Sequence, residues 1–470
     1  MVQSIFPGKH ETGTREWWVN TLTRALRDRE NGRGWSEEHP SNERGVRPPL
    51  KLLDAWRRNE PPLPLGASQE WATAWKHVLR MTRTNSAELV VSSRSERIVP
   101  LGWRTAVDND TDGDALAEVI ARRNDLRTAT GEAIEDMLAL GDGYLLTTRD
   151  GSEAVISSVS PFTTITADRM GAPRAGLHLS LDPWTGEREA WLYLVEDDGR
   201  TRLHVARRQR GGTYEWTAPD DALIPRGHFP IVRLRNKDGV GEFERHLSDC
   251  RRINDSLFSR VVLTKLQAHR QRGLEKPVPK VGEFEVDIDV DPADFTSGPD
   301  ALWDLPPGVK VWESMAADLN PVRSIVDDDF RILAAATKTP IWVMLPGSQN
   351  QSATGSEKAD SSYLSLVSDR QHRADTALAR VVANAFSIEG DEQRADPTRI
   401  RTIWAPQERY GLEEKAKAFA AVYGKMPFDR AALDIWQVAP HELPELNLAR
   451  GKDLFYSTAA PSSSGSTSGP

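Results

Sequence analysis

Apolar positions along the first half of the chain change period several times. In TREWWVNTLTRALRDRE they recur at helical spacing, and the Gly- and Pro-rich stretches NGRGWSEEHPSNERGVRPP and NEPPLPLG interrupt that pattern with loops. AELVVSSRSERIVPLGWR reads as a short strand, a turn and a second strand. DGDALAEVIARRNDL and TATGEAIEDMLALG then read as helices with Asp or Thr near their starts. DGYLLTTRDGSEAVISSVSPFTTITADR is rich in hairpin signals around RDG, and further strands run through REAWLYLVEDDGRTRLHVARR to FPIVRLRNKDG. The expectation for the first 240 residues is a mixed α+β unit.

From about Glu242 to Arg272 there is no proline and no internal glycine, and Cys250, Ile253, Leu257, Val261 and Ala268 repeat at helical spacing. One helix of about 27 residues would be roughly 40 Å long. Its apolar stripe is thin, as on a helix that packs beside neighbours. Next comes VGEFEVDIDVDPADF, where strict alternation sets Phe284, Val286, Ile288 and Val290 on one face of a strand and Glu283, Glu285, Asp287, Asp289 and Asp291 on the other. A second helix, PVRSIVDDDFRILAAATKT, starts at Pro321 and stops before Pro340. The uncharged loop from Gly347 to Gly355 leads to a third helix ending near Phe386, with a seam of Tyr363, Val367, Ala374, Leu378 and Val381. LEEKAKAFAAVYG and DRAALDIWQV read as two shorter helices, and STAAPSSSGSTSGP as a disordered tail.

At 470 residues the chain has room for two to four structural units. A net charge of −9 argues against a protein that coats nucleic acid by neutralising phosphates. The single cysteine, Cys250, excludes an internal disulfide framework and suits a reducing compartment; its place is a packed helix face. No apolar signal core or bilayer-length run is present, so a soluble, cytoplasmic chain is expected. Trp17, Trp18, Trp35, Trp56, Trp71 and Trp75 stand in polar context and suit either interface or core.

Motifs of catalysis are missing from the sequence: no GxxxxGK[ST] phosphate loop, no HExxH and no GxSxG. The ten histidines are scattered, and His269 and His372, on helices, are expected at the surface. Asp287, Asp289 and Asp291 match the opening of a calcium loop, but Pro292 and Gly298 stand where glycine and glutamate are required. Alternate carboxylates on a strand lie about 6.6 Å apart, so the row binds a divalent ion only with help from elsewhere. Its other readings are a solvated edge strand guarded by charge, or a surface facing a lumen or a basic partner.

Several stretches together resemble the portal proteins of tailed bacteriophages, in particular the large portal family of actinobacterial phages. AELVVSSRSERIVPLGWR carries Arg97 and Gly102, RRNDL carries Asn124, and EDMLALGDGYLL carries Gly141, Gly143 and Tyr144. FPIVRLRNKDGVGEFERHLSDCRRINDSLFSRVVLTKLQAHRQRG is similar to the strand that enters the first stem helix, with Pro230, Asn236, Gly241, Ile253, Asn254 and Gly273. AAATKTPIWVMLPGSQNQSATGSEKADSSYL resembles the second stem helix, the tunnel loop and the start of the long wing helix, with Pro340, Gly355 and Ser356. The stretches cover residues 85 to 390; the Trp-rich first 75 residues and the region from Asp391 onward match no motif securely.

The resemblance implies an α+β portal fold: wing 1–242, first stem helix 243–274, clip 275–318, second stem helix 319–340, tunnel loop 341–356, long wing helix 357–390, C-terminal wing and crown 391–456, and disordered tail 457–470. It implies a non-enzymatic homododecameric ring at one capsid vertex, assembled in the host cytoplasm, with no cofactor, metal or membrane. Double-stranded DNA passes through it, and the terminase large subunit, the head-tail adaptor, the major capsid protein and scaffold are its partners. Gln349, Asn350, Gln351, Ser352 and Thr354 would face the DNA, while Glu283, Glu285, Asp287, Asp289 and Asp291 would serve clip docking. The competing reading is a metal-dependent nuclease or hydrolase using the 283–291 carboxylates; a ring-shaped channel unrelated to capsids is the third.

Overall fold

The computed structural model describes residues 5–36, 46–62, 69–107, 113–208, 212–217, 223–268, 272–275, 280–281, 284–285, 310–313, 320–346, 353–407, 412–422, 424–436, 438 and 442–459. The protein is α+β. Helix α1 (Arg15–Asn31) begins where the Thr14 hydroxyl accepts from the Trp17 N–H at 3.3 Å, and ends at Gly32 with a left-handed φ of 63°. Helix α2 (Leu50–Arg57) buries Leu50, Leu53 and Trp56, which settles that tryptophan as core, and α3 (Gln69–Thr82) follows.

The first half of the expected strand pair is instead helix α4 (Ser86–Ser95). Adjacent valines favour a strand in isolation, but Ala87, Val90, Val91 and Arg94 are all fully buried, and that spacing faces one side only on a helix. The Asn85 side chain caps it, accepting from the Glu88 N–H at 3.4 Å. The second half forms strand β1 (Pro100–Arg104). Helix α5 (Ala115–Arg123) starts on Asp114, whose carboxylate accepts from the Leu116 and Ala117 N–H groups, and α6 (Leu126–Leu140) runs to Gly141.

Strands β2 (Asp142–Asp150) and β3 (Glu153–Val159) form the hairpin expected around RDG. Strands β4 (Thr164–Arg169), β5 (Ala172–Leu181), β6 (Arg188–Val195), β7 (Thr201–Arg208) and β8 (Glu215–Thr217) make an antiparallel meander, with β9 (Leu223–Ile224) pairing β7. Strand β10 (Ile231–Arg235) joins the first hairpin in the order β10-β2-β3. Helix α1 covers the meander through Val19 and Leu22 against Ala175, Leu177, Ala190 and Leu192. Tyr144, Tyr193, Phe229 and Ile231 fill the junction of the two sheets.

A 3-10 turn at Glu244–His246 precedes α7 (Leu247–Ala268), so the expected long helix is shorter at both ends. Strand β11 (Arg272–Glu275) follows, then β12 (Lys280–Val281), β13 (Phe284–Glu285) and β14 (Lys310–Glu313). The β11–β14 pair went unread in the sequence: two four-residue strands 35 or more positions apart carry no local pairing signal. Helix α8 (Asn320–Thr337) returns beside α7, and α9 (Ile341–Met344) occupies the start of the expected loop. Helix α10 (Ala353–Glu389) crosses the body for 37 residues, with Tyr363, Val367, Ala374, Leu378 and Val381 buried and His372 exposed. His269 lies outside the described residues.

Strand β15 (Arg401–Trp404) pairs β1 antiparallel, which returns the C-terminal region to the N-terminal half of the chain. Helices α11 (Leu412–Val422) and α12 (Phe428–Ala431), the latter extended by a π-turn to Trp436, match the expected pair. Helix α13 (Leu443–Ala459) was not anticipated; it takes in residues 457–459 of the expected tail, and the rest of the tail lies outside the described residues.

Three glycines are demanded by close approach where the end of α6, the start of β2 and the 236–241 segment meet. A Cβ on Gly143 would lie 1.9 Å from the Ala133 carbonyl oxygen, one on Gly241 2.2 Å from that of Ala139, and one on Gly141 2.1 Å from that of Gly239. All three are backbone contacts, so no rotamer change relieves them. Gly143→Ala is expected to cost at least about 2 kcal/mol in urea unfolding. Gly131→Ala, on α6 with nothing within 4 Å of the new methyl, is expected to raise stability by about 0.5–1 kcal/mol.

Candidate functional site

Of the acidic row, Glu285 lies on β13, where the register sets it opposite Lys280. Glu283, Asp287, Asp289 and Asp291 are outside the described residues, as are Gln349, Asn350, Gln351 and Ser352. Thr354 is not in a loop: α10 begins one residue earlier, at Ala353, and carries Gly355 within it. One glycine costs a helix about 1 kcal/mol, which more than thirty following residues of propagation and packing outweigh.

What the structure defines is the frame that carries these segments. Between α7 and α8, Asp329 is buried and accepts from Arg252 Nε and Ser256 Oγ, both at 2.7 Å. Asn254 Oδ1 accepts from the Thr84 N–H at 3.1 Å, which ties the root of α7 to the loop before α4. Cys250 and Ile253 are fully buried, and burial pushes the Cys250 thiol up to about 11, so it is a packing group. From Asn254 to Thr264 no residue of α7 is buried. On α8, Ile325 and Ile332, seven residues apart on one face, are 54% and 50% exposed.

The root of α7 holds two carboxylates gripped by four arginines. Arg370 Nε lies 2.6 Å from Glu242 Oε1 and Arg94 Nε 3.4 Å from Glu242 Oε2, with the Arg94 side chain fully buried. Arg94 also donates to the Val90 and Thr337 carbonyl oxygens and to Thr339 Oγ1. One guanidinium therefore bonds within α4, to the end of α8 and to the entry of α7. Two residues on, Arg47 grips Glu244 with two bonds of 2.9 and 2.6 Å, and Arg29 of α1 approaches to 4.0 Å. The Leu140 carbonyl at the end of α6 accepts from both Arg29 and Arg47.

Burial lowers the pKa of Arg94 against the raising pull of Glu242, and burial with the neighbouring Arg47 charge lowers that of Arg29 to about 10. Burial acts on Arg370 in the same direction, but its bonds to Glu242 and Asp369 outweigh it and the net shift is upward. All three remain cations at neutral pH.

Motif residues noted in the sequence are engaged at this joint or elsewhere in the fold. The Asn236 side chain donates to the Val240 carbonyl and to Glu242. Arg97 lies over the Tyr363 ring at 5.5 Å, and the Tyr363 hydroxyl donates to the Ser93 carbonyl. Asn124 donates to Ala154 O and accepts from the Ile156 N–H, pinning β3 to α5. Arg94 and Glu244 were not singled out, Glu242 was read only as a helix start, and Arg370 only as a charge beside the α10 seam. The signal for Arg94 was its helical spacing from Ala87, hidden by reading a strand there.

No protein-family model matches the chain, and no curated protein matches it. Among solved structures it is similar to a chain in one described as the neck of an empty gene transfer agent particle computed with C6 symmetry, at 12% identity and a TM-score of 0.44, covering 82% of this chain and 98% of that one. It is also similar to a chain in the virion of the native gene transfer agent particle, at 12% identity and a TM-score of 0.41, with the same coverage.

Among the described residues no group of three or more His, Cys, Asp or Glu can hold a metal ion. The carboxylates of the metal-dependent alternative lie outside them, Glu285 apart. No described helix is long and apolar enough to cross a membrane.

Removing the Glu242 carboxylate leaves two buried guanidiniums facing each other. Glu242→Ala and Glu244→Ala are each expected to cost about 3–5 kcal/mol in urea unfolding. Glu196→Ala, which deletes the partner of Arg202 in a solvent-exposed pair, is expected to cost less than about 1 kcal/mol.

Proposed function

We propose that the chain is the subunit of a phage portal ring, a non-enzymatic conduit for double-stranded DNA at one capsid vertex. The observation that carries this reading is the α7–α8 pair. It leaves the body through a rigid ionic root; on α7 no residue from Asn254 to Thr264 is buried, and α8, which buries Val326, Phe330 and Leu333 on one side, presents Ile325 and Ile332 to solvent on another. Such a pair is under-packed alone and is completed by copies of itself. The order of wing, paired helices, short paired strands between them and long crossing helix agrees with the order of the sequence motifs. In this reading 243–274 and 319–340 are the stem, 275–318 the clip, 341–356 the tunnel-loop region and 391–456 the outer wing and crown.

The clip carboxylates then serve electrostatic docking to the terminase large subunit and the head-tail adaptor, and the wing and crown face the major capsid protein and scaffold. A net charge of −9 per subunit suits a channel that must not hold phosphates, since repulsion keeps the duplex from settling at any one step.

Purified protein is expected to form closed rings of about twelve subunits, read by native mass spectrometry or light scattering. A species that stays monomeric across salt and protein concentration overturns the proposal.

The neutral loop offers a second test. Gln349→Arg with Gln351→Arg adds about 24 cations around a ring of twelve, enough to retain the phosphate backbone at moderate salt. The double variant is expected to assemble normally, to slow DNA packaging, and to recover partly as salt rises. Normal packaging at low salt removes the loop from the conduit.

A further inference from the structure

Two features of the wing meander belong to no role described so far, and they complement each other. The first is Trp184, 93% exposed at the turn between β5 and β6. The turn is fixed before any partner arrives. Asp182 Oδ1 accepts from the Trp184 and Thr185 N–H groups at 2.8 and 3.3 Å, and Asp182 Oδ2 accepts from the Thr185 hydroxyl at 2.9 Å. Backbone bonds from the Gly186 N–H to the Asp182 carbonyl and from the Asp182 N–H to the Glu187 carbonyl, both 2.9 Å, close it. A large aromatic ring on a pre-ordered turn loses little conformational freedom when it is buried by a partner.

The second feature is a cleft of about 650 Å³ at the other end of the same meander, where the β4–β5 and β6–β7 turns meet α10. Pro173 and Phe229 give it apolar wall, and Arg233, Arg235 and Arg380 give it charge. Arg233 is committed to Asp168 at 2.5 Å. Arg235 and Arg380 are exposed, and neither has a carboxylate within ion-pair distance among the described residues. Thr166, in the cleft wall and 7% exposed, has a buried hydroxyl with no hydrogen-bond partner among them. Met170, beside Gly171 at the mouth, is 99% exposed.

We propose that the Trp184 turn of one copy seats in this cleft of the next copy. The indole matches a volume suited to small-molecule-sized groups, meets the wall of Pro173 and Phe229, and offers its ring face to the exposed guanidiniums of Arg235 and Arg380. Asp182 and Glu187 bring negative charge to Arg235 and Arg380. A chain does not fill its own cleft: the ten residues of β5 separate the two features by about 30 Å. A knob at one end of a sheet and a hole at the other make a head-to-tail contact, the kind that closes into rings and not into two-fold dimers. The proposal rests on the ring reading and names one of its contacts, in the wing and away from α7 and α8.

The test joins Pro183→Cys, on the exposed turn, with Pro397→Cys, in the cleft lining, and treats the assembled protein with a short bismaleimide; Cys250 is fully buried and stays silent. The double variant is expected to give a covalent ladder of multimers under denaturing conditions, and each single variant none. Ring-sized particles without a ladder overturn the Trp184 contact and leave the ring reading standing. Wild-type protein that never assembles overturns both, and shows it before any cross-linker is added. Separately, Trp184→Ala, at a site that packs on nothing within its own chain, is expected to raise the concentration for half-assembly by about tenfold or more. An unchanged midpoint overturns the contact.

Discussion

Glu242 and Glu244 stand two residues apart where the chain leaves the α+β body and enters α7, and the root of α7 is positioned by what holds their charge. Burying a carboxylate without partners is prohibitive, and burying one between two guanidiniums is acceptable only where the geometry is fixed. Here the partners come from α1 (Arg29), the segment before α2 (Arg47), α4 (Arg94) and α10 (Arg370), so the ion pairs form only when four separate parts of the chain are in place together. A joint of this kind resists bending, because displacing any one element strands a buried charge.

Close backbone packing supports the same joint from beneath. Gly141, Gly143 and Gly241 allow the end of α6, the start of β2 and the 236–241 segment to approach at distances no side chain permits. The Leu140 carbonyl, left free at the end of α6, is taken up by Arg29 and Arg47, so helix termination and ion-pair formation share one group. Van der Waals contact sets the spacing and charge sets the orientation.

Outside this core the surface has gaps that a solitary chain does not need. Ile325 and Ile332 on α8, Trp184 on its braced turn and the arginine-lined cleft at the far end of the sheet all expose groups that proteins usually cover. Single exposed apolar residues are ordinary; a pre-ordered one and a cleft of matching chemistry at opposite ends of one sheet are less so. In the proposed ring, like charge works on a longer scale: an acidic subunit repels a polyanion in the channel, while short-range contacts hold the copies together.

The local patterns legible in the sequence were those whose signal lies within a dozen residues. Asp114 before an amphipathic run marked α5, RDG between two alternating runs marked the β2–β3 hairpin, and the seam from Tyr363 to Val381 marked α10. Cys250 was correctly placed as a packing group because its neighbours Ile253 and Leu257 share its face. Tertiary structure alone decided the rest. Whether Val90 and Val91 lie on a strand or a helix depended on Arg94 finding Glu242 nearly 150 positions away, an energy that no local propensity contains. The pairings of β11 with β14 and of β1 with β15 join segments too short to announce themselves, and the second spans about 300 residues. Charges were visible in the sequence, but which of them would be buried together was not, because desolvation is a property of the assembled fold and not of the residue.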